Sequence, residues 1–202
     1  MKIKAKNKRD EQSGFSMIEL LIVMGVVIIV SAIAAPKVMT IIQNIRTGGD
    51  AHDLNGAILL AKMRASSDYA KTRVYADLTA NTFQIDVFPS GAAGWTTEVG
   101  STQTLSNNVN FGFGTLTAPP SGMATLAQAP ACLQDDMTTA IANTACIMFN
   151  SRGIPIDNTL APTSVDAFYV TDGKNITGVT VAVTGLTKVW RTDAYAADWM
   201  KW

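Results

Sequence analysis

The sequence predicts an α+β protein: a long N-terminal transmembrane and stalk α-helix packed on a C-terminal antiparallel β-sheet head. Three observations lead there. Leu20 to Ala35 contains no charged residue. A 3.6-residue apolar rhythm continues past that run. From Val74 onward the composition turns to β-branched and aromatic residues, punctuated by Gly, Asn, Thr and Pro.

The apolar run approaches the roughly 20 residues that a membrane-crossing helix needs. Beyond it, Val38, Ile41, Ile42 and Ile45 keep the helical spacing. Gly48-Gly49 should weaken the helix, since each Gly costs about 1 kcal/mol relative to Ala in a helix interior. Asp53 is placed to cap a renewed helix in which Leu54, Ile58, Ala61 and Ala65 form one stripe. Lys62, Arg64, Asp68 and Lys71 occupy more polar ground. Residues 15–36 thus read as the membrane segment and 37–72 as its amphipathic continuation, roughly 85 Å in all at 1.5 Å per residue. Pro36 and Gly25 are candidate bends, Pro36 above all, because proline removes an N–H and crowds the preceding turn.

Residues 73–202, about 130 in number, suffice for one hydrophobic core. The expected strands are Arg73–Leu78, Thr82–Phe88, Val109–Phe113, Cys146–Asn150, Ala167–Thr171, Gly178–Val183 and Lys188–Arg191. Asp172-Gly173-Lys174-Asn175 and Gly185 supply hairpin turns. The Ala-, Thr- and Pro-rich stretch from Leu116 to Thr144 reads as a loop insertion. Phe83, Val87, Phe111, Phe149, Phe168 and Tyr169 are expected in the core. Cys132 and Cys146 flank part of the insertion and are favoured as a disulfide on the non-cytoplasmic side of a membrane, worth roughly 3 kcal/mol for a loop of about 15 residues. Two buried free thiols are the alternative.

The most specific local pattern is Gly14-Phe15-Ser16-Met17-Ile18-Glu19, at the junction of a basic leader and the apolar run. Lys2, Lys4, Lys6, Lys8 and Arg9 precede it, against Asp10 and Glu11, so the positive-inside rule keeps the N-terminus cytoplasmic. Glu19 lies inside the apolar segment, where a carboxylate costs about 2.5–3.5 kcal/mol on insertion scales and is a functional candidate. This arrangement resembles the prepilin class, the type IV pilins and the pseudopilins of type II secretion. In that class a basic leader ends in Gly, an aromatic becomes the new N-terminus and a Glu stands fifth in the mature chain. Pro36 falls at mature position twenty-two, where many pilins carry proline. The resemblance implies that a prepilin peptidase cuts residues 1–14 away between Gly14 and Phe15 and methylates the amine of Phe15. It further implies that Glu19 pairs with the N-terminal amine of a neighbouring subunit. Other pilin or pseudopilin subunits and an inner-membrane assembly platform are then the partners, and the head is periplasmic.

Residues 55–191 look more specifically like the GspH/FimT group of minor pseudopilins and related minor pilins. The pieces are the Arg-containing helix end at Leu59–Ala70, the strand segment Ile147–Gly153 and the late hairpin Thr180–Val183 with Gly185–Trp190. The expected role is therefore a minor subunit of the type II secretion pseudopilus, with a minor pilin acting in DNA uptake, adhesion or motility as the alternative. Some members of the group bind DNA through a Gly-Arg-x-Arg stretch. Here that stretch reads Gly185-Leu186-Thr187-Lys188-Val189-Trp190-Arg191, leaving only Arg152, Lys188 and Arg191 as weak contact candidates. Without the leader, 11 Lys and Arg face 14 Asp and Glu, a formal −3, which disfavours nucleic acid. Enzymatic chemistry is not expected, and no cofactor or metal is implied. The single histidine, His52, lies beside Asp50 and Asp53 on the stalk, no phosphate loop or dinucleotide fingerprint is present, and Asp135-Asp136 alone cannot supply the six to eight oxygens that calcium takes.

Overall fold

The structure, a computed structural model, describes residues 15–196 and 198–202. It separates into two units, one ending at Ile41 and one running from Ile42 to Trp202. Helix α1 spans Met17–Ser67, with its last residues inside the second unit. The glycine pair does not interrupt it, and Asp53 caps nothing. Gly48 has a packing reason instead: a Cβ there would stand 2.3 Å from the Trp202 indole. The helix stops at Ser67, short of residue 72, in a left-handed turn. Tyr69 has φ +50 and the Ala70 N–H donates to the Ala65 carbonyl at 3.3 Å. That is the bonding of a Schellman cap, whose left-handed position usually holds Gly. A side chain with a Cβ there costs about 1–2 kcal/mol.

The head contains two antiparallel sheets where the sequence suggested one. The first orders β3(Thr96–Thr97), β2(Thr82–Phe88), β1(Lys71–Asp77), β6(Thr144–Phe149) and β7(Pro155–Ile156), with β4(Gln103–Thr104) also on β2. The second orders β11(Met200–Lys201), β10(Thr187–Asp193), β9(Asn175–Val181), β8(Asp166–Thr171) and β5(Asn110–Phe111). The seven expected strands all exist, with ends displaced by a few residues. The four unforeseen ones are two-residue pairings, too short for any alternation to register. The β8–β9 turn forms as read, with the Asp172 carboxylate accepting from the Lys174 and Asn175 N–H groups at 2.8 and 2.6 Å.

Both sheets bury one face against the same stripe of α1. Ala51, Leu54, Ala57, Ile58, Ala61 and Ala65 join Val74, Phe83, Ile85, Ile147 and Phe149 of the first sheet and Phe168, Val170, Val179, Val181 and Val189 of the second. Side chains alternate across a strand, so the opposite faces of β6 and β8 need separate cover. Cys146 and Met148 pack with Cys132 and Ile156 under Tyr75, Trp95 and Ile141. Ala167 and Tyr169 pack with Leu116, Ile176 and Ala194 under Phe113, Met123, Leu126 and Trp199. The 116–144 insertion therefore roofs both sheets. Val87 and Phe111, expected in the core, are only half-buried.

Cys132 and Cys146 are bridged, with Cα atoms 4.9 Å apart. Next to the bridge Arg73 is buried, its Nε donating to Asp86 Oδ2 at 2.9 Å and its Nη1 to the Leu133 carbonyl at 2.5 Å. The guanidinium lies 4.1 Å from the Trp95 ring centroid. One cation thus ties a strand, the disulfide loop and the 89–98 loop together. Replacing it alone strands a buried Asp86 charge. Arg73→Met is expected to cost about 3–5 kcal/mol, and adding Asp86→Asn should recover a large part. Denaturant midpoints of the single and double variants check both.

Candidate functional site

The candidate site is the start of α1. Ser16 accepts the first helical bond, from the Leu20 N–H at 3.2 Å. Phe15 stands just outside the helix and is 82 % exposed. Glu19 lies in the first turn, where an acid complements the helix dipole by about 0.3–1 kcal/mol. Gly14 and the basic leader lie outside the described residues.

From Met17 to Ile33 the large apolar side chains are exposed on every side of the helix. The most apolar 18-residue window reaches a mean hydropathy of 2.8, and none of it is buried within the chain. A helix that is apolar all round needs lipid or other protein around it. Among the described residues the ion pairs are Arg64–Glu98 and Arg73–Asp86, so Glu19 has no cationic partner within the described chain. The segment is an apolar surface carrying one unneutralised acid. Helix α1 continues through Pro36, whose missing N–H leaves the Ala32 carbonyl without its usual partner, and Thr40 Oγ1 donates to the Pro36 carbonyl at 3.2 Å.

The basic candidates do not form one patch. Lys188 and Arg191 stand three residues apart on β10, so they point to opposite faces of the sheet. Arg191 lies over the Trp202 ring at 5.7 Å and donates to Asn175 Oδ1 at 3.3 Å. Lys188 stands over Trp190 at 5.9 Å, on the rim of a cleft of about 170 Å³. Arg152 is in the β6–β7 turn.

The other titratable groups have structural employment. His52 is exposed and its ring lies 4.9 Å from that of Trp202. Asp135 accepts from the Trp95 N–H at 2.9 Å. Asp136 accepts from the Thr139 hydroxyl and from the Thr138 and Thr139 N–H groups, which hold its carboxyl well below the usual range. Among the described residues no cluster of three or more His, Cys, Asp or Glu could hold a metal ion. Sequence reasoning missed the Arg73–Asp86 pair; a cation and an acid at matching positions of adjacent expected strands were the available signal.

Comparison with known proteins finds the prokaryotic N-terminal methylation motif at residues 9–35. No curated protein matches. Two structures of the minor pseudopilin EpsH from the type II secretion system of Vibrio cholerae are similar, at 13 % and 14 % identity. They cover 73 % and 71 % of this chain and 94 % of their own, each with a TM-score of 0.43.

Asp166, at the start of β8, is buried, and its Oδ2 has no hydrogen-bond partner among the described residues. Burial, and secondarily the Asp157 charge, push its carboxyl up to about 7. The folded state therefore keeps a proton that the unfolded chain releases near pH 4. Its unfavourable contribution grows between about pH 4 and 7 and persists above. Asp166→Asn should flatten that slope and stabilise the protein at pH 8 by up to about 4 kcal/mol. Denaturant midpoints at pH 5 and pH 8 test it.

Proposed function

We propose that this chain is a structural subunit of a type IV pilus-like filament, a minor pseudopilin of the kind that serves protein export by type II secretion. The observation that carries the reading is the methylation motif lying in register with Phe15, Glu19 and the unburied apolar N-terminal stretch of α1. The precursor sits in the inner membrane with residues 1–14 cytoplasmic, 15–36 in the bilayer and the head in the periplasm. The prepilin peptidase hydrolyses the Gly14–Phe15 bond and transfers a methyl group to the freed amine of Phe15.

Cleavage creates a cation at the start of the helix, only a few residues from an acid with no cationic partner among the described residues. The amine of an incoming subunit pairs with Glu19 of its neighbour, so two charges that are costly in lipid neutralise each other. A buried pair with one member missing is penalised by several kcal/mol, which makes Glu19 a register device as well as an attractive contact. The exposed apolar side chains from Met17 to Ile33 pack against the helices of neighbours, and Pro36 supplies a local bend. The role is structural: the chain supplies shape and contacts to the fibre.

Mass spectrometry of the chain isolated from its membrane should show an N-terminus at methylated Phe15. A chain still beginning at Met1 would overturn the reading. Glu19→Ala should leave that processing intact while lowering incorporation into sheared filaments at least tenfold. Wild-type incorporation of the variant would remove the pairing role.

A further inference from the structure

We propose that the pole of the head at the C-terminal end of α1 docks an acidic segment of a partner protein that also carries apolar side chains. Three parts of the chain converge there. Lys62 Nζ donates to the Thr184 and Gly185 carbonyls of the β9–β10 turn, each at 3.1 Å. Gly153 of the β6–β7 turn lies against Lys62 and Ser66. Ser151 of the same turn joins Tyr69, Lys71, Phe88 and Pro89 around a cleft of about 280 Å³.

Tyr69 is the informative residue. It holds the left-handed cap position that glycine would fill without strain, yet its ring is 79 % exposed. Little burial within the chain compensates that strain. Strained, non-glycine positions of this kind cluster at ligand clamps and switch regions. Lys71, Phe88 and Pro89 line the cleft beside it. Aromatic anchors beside a cleft are the residues that dominate protein–protein contacts.

Charge defines the occupant. Lys62, Lys71 and Arg152 bring three cations to this pole, and among the described residues none is ion-paired; Arg64 is already taken by Glu98. Lys71 lies over the Phe88 ring at 5.8 Å, its ammonium free to meet a carboxylate. Asp68 is the neighbouring acid, and it accepts from the Ser67 hydroxyl. Carboxylates of a partner would make charge-assisted bonds to these groups, and its apolar side chains would cover Tyr69 and enter the cleft beside it. A nucleic acid fits less well. Phosphate binding needs a continuous basic track, whereas the cleft beside Lys71 is lined by Tyr69, Phe88 and Pro89.

The test places the photo-crosslinking residue p-benzoylphenylalanine at position 69 of the full-length chain, in membranes of the cells that make it. The crosslinked segment is then identified by mass spectrometry. The expected adduct is a protein segment with Asp or Glu beside apolar residues. Its yield should fall at least fivefold in the Lys71→Glu, Arg152→Glu variant and return when the partner's acids are reversed to Lys. A crosslink to a second copy of this chain, to lipid, to nucleic acid or to a segment without acids would overturn the proposal. So would an adduct indifferent to charge reversal, or none. In parallel, Tyr69→Gly should leave Tm unchanged or raise it; a fall of several degrees would make the ring structural and overturn the docking role.

Discussion

Everything in the head depends on one stripe of helix α1. Ala51, Leu54, Ala57, Ile58, Ala61 and Ala65 are all buried, and both sheets lay their inner faces on them. Four of the six are alanines, and at Ala61 the Thr72 hydroxyl reaches the helix backbone, donating to the Ala61 carbonyl at 2.7 Å. A larger side chain at those alanines would have to displace a strand, because a close-packed interior tolerates little added volume. The stripe sets where β1 begins, and with it the register of the first sheet.

Two sheets on one helix create a second requirement, because each sheet has another face. The insertion and the tail meet it with irregular chain. Gln128 stands in for a strand: its carboxamide donates to the Tyr169 carbonyl at 2.8 Å and accepts from the Tyr169 N–H at 2.9 Å, closing an edge of β8. Trp199 lies over Tyr169 and donates to the Ala118 carbonyl at 2.8 Å. A Cβ at Gly178 would stand 2.7 Å from the Tyr169 ring, so glycine there lets the ring lie flat across β9. Covered edges matter because bare edges pair indiscriminately.

The same helix serves two environments. From Thr47 on, one face is buried by the head; upstream, apolar side chains are exposed all round and Glu19 has no described partner. The upstream part thus leaves its apolar side chains uncovered within the described chain, whereas the head buries its own core.

Much of this was legible in the sequence because it rests on local periodicity. The apolar run, the Glu19 position, the Leu54–Ala65 stripe, the seven expected strands and the Asp172–Asn175 turn all follow from spacing that neighbours in the chain dictate. What periodicity could not show was set by residues far apart in sequence. Gly48 looked like a helix breaker until Trp202 was found against it. The insertion looked like a plain loop until its Cys132, Leu126 and Gln128 were found covering two sheets. Arg152, Lys188 and Arg191, close in composition, were separated by strand alternation and turn placement, while Lys62, Lys71 and Arg152 were brought to one pole. Sequence alone determined the elements and the membrane-seeking helix, since propensity and hydrophobic pattern act within a few residues. Only the tertiary structure decided the second sheet, the buried Arg73 and the composition of the surfaces, because those depend on which distant side chains share one volume.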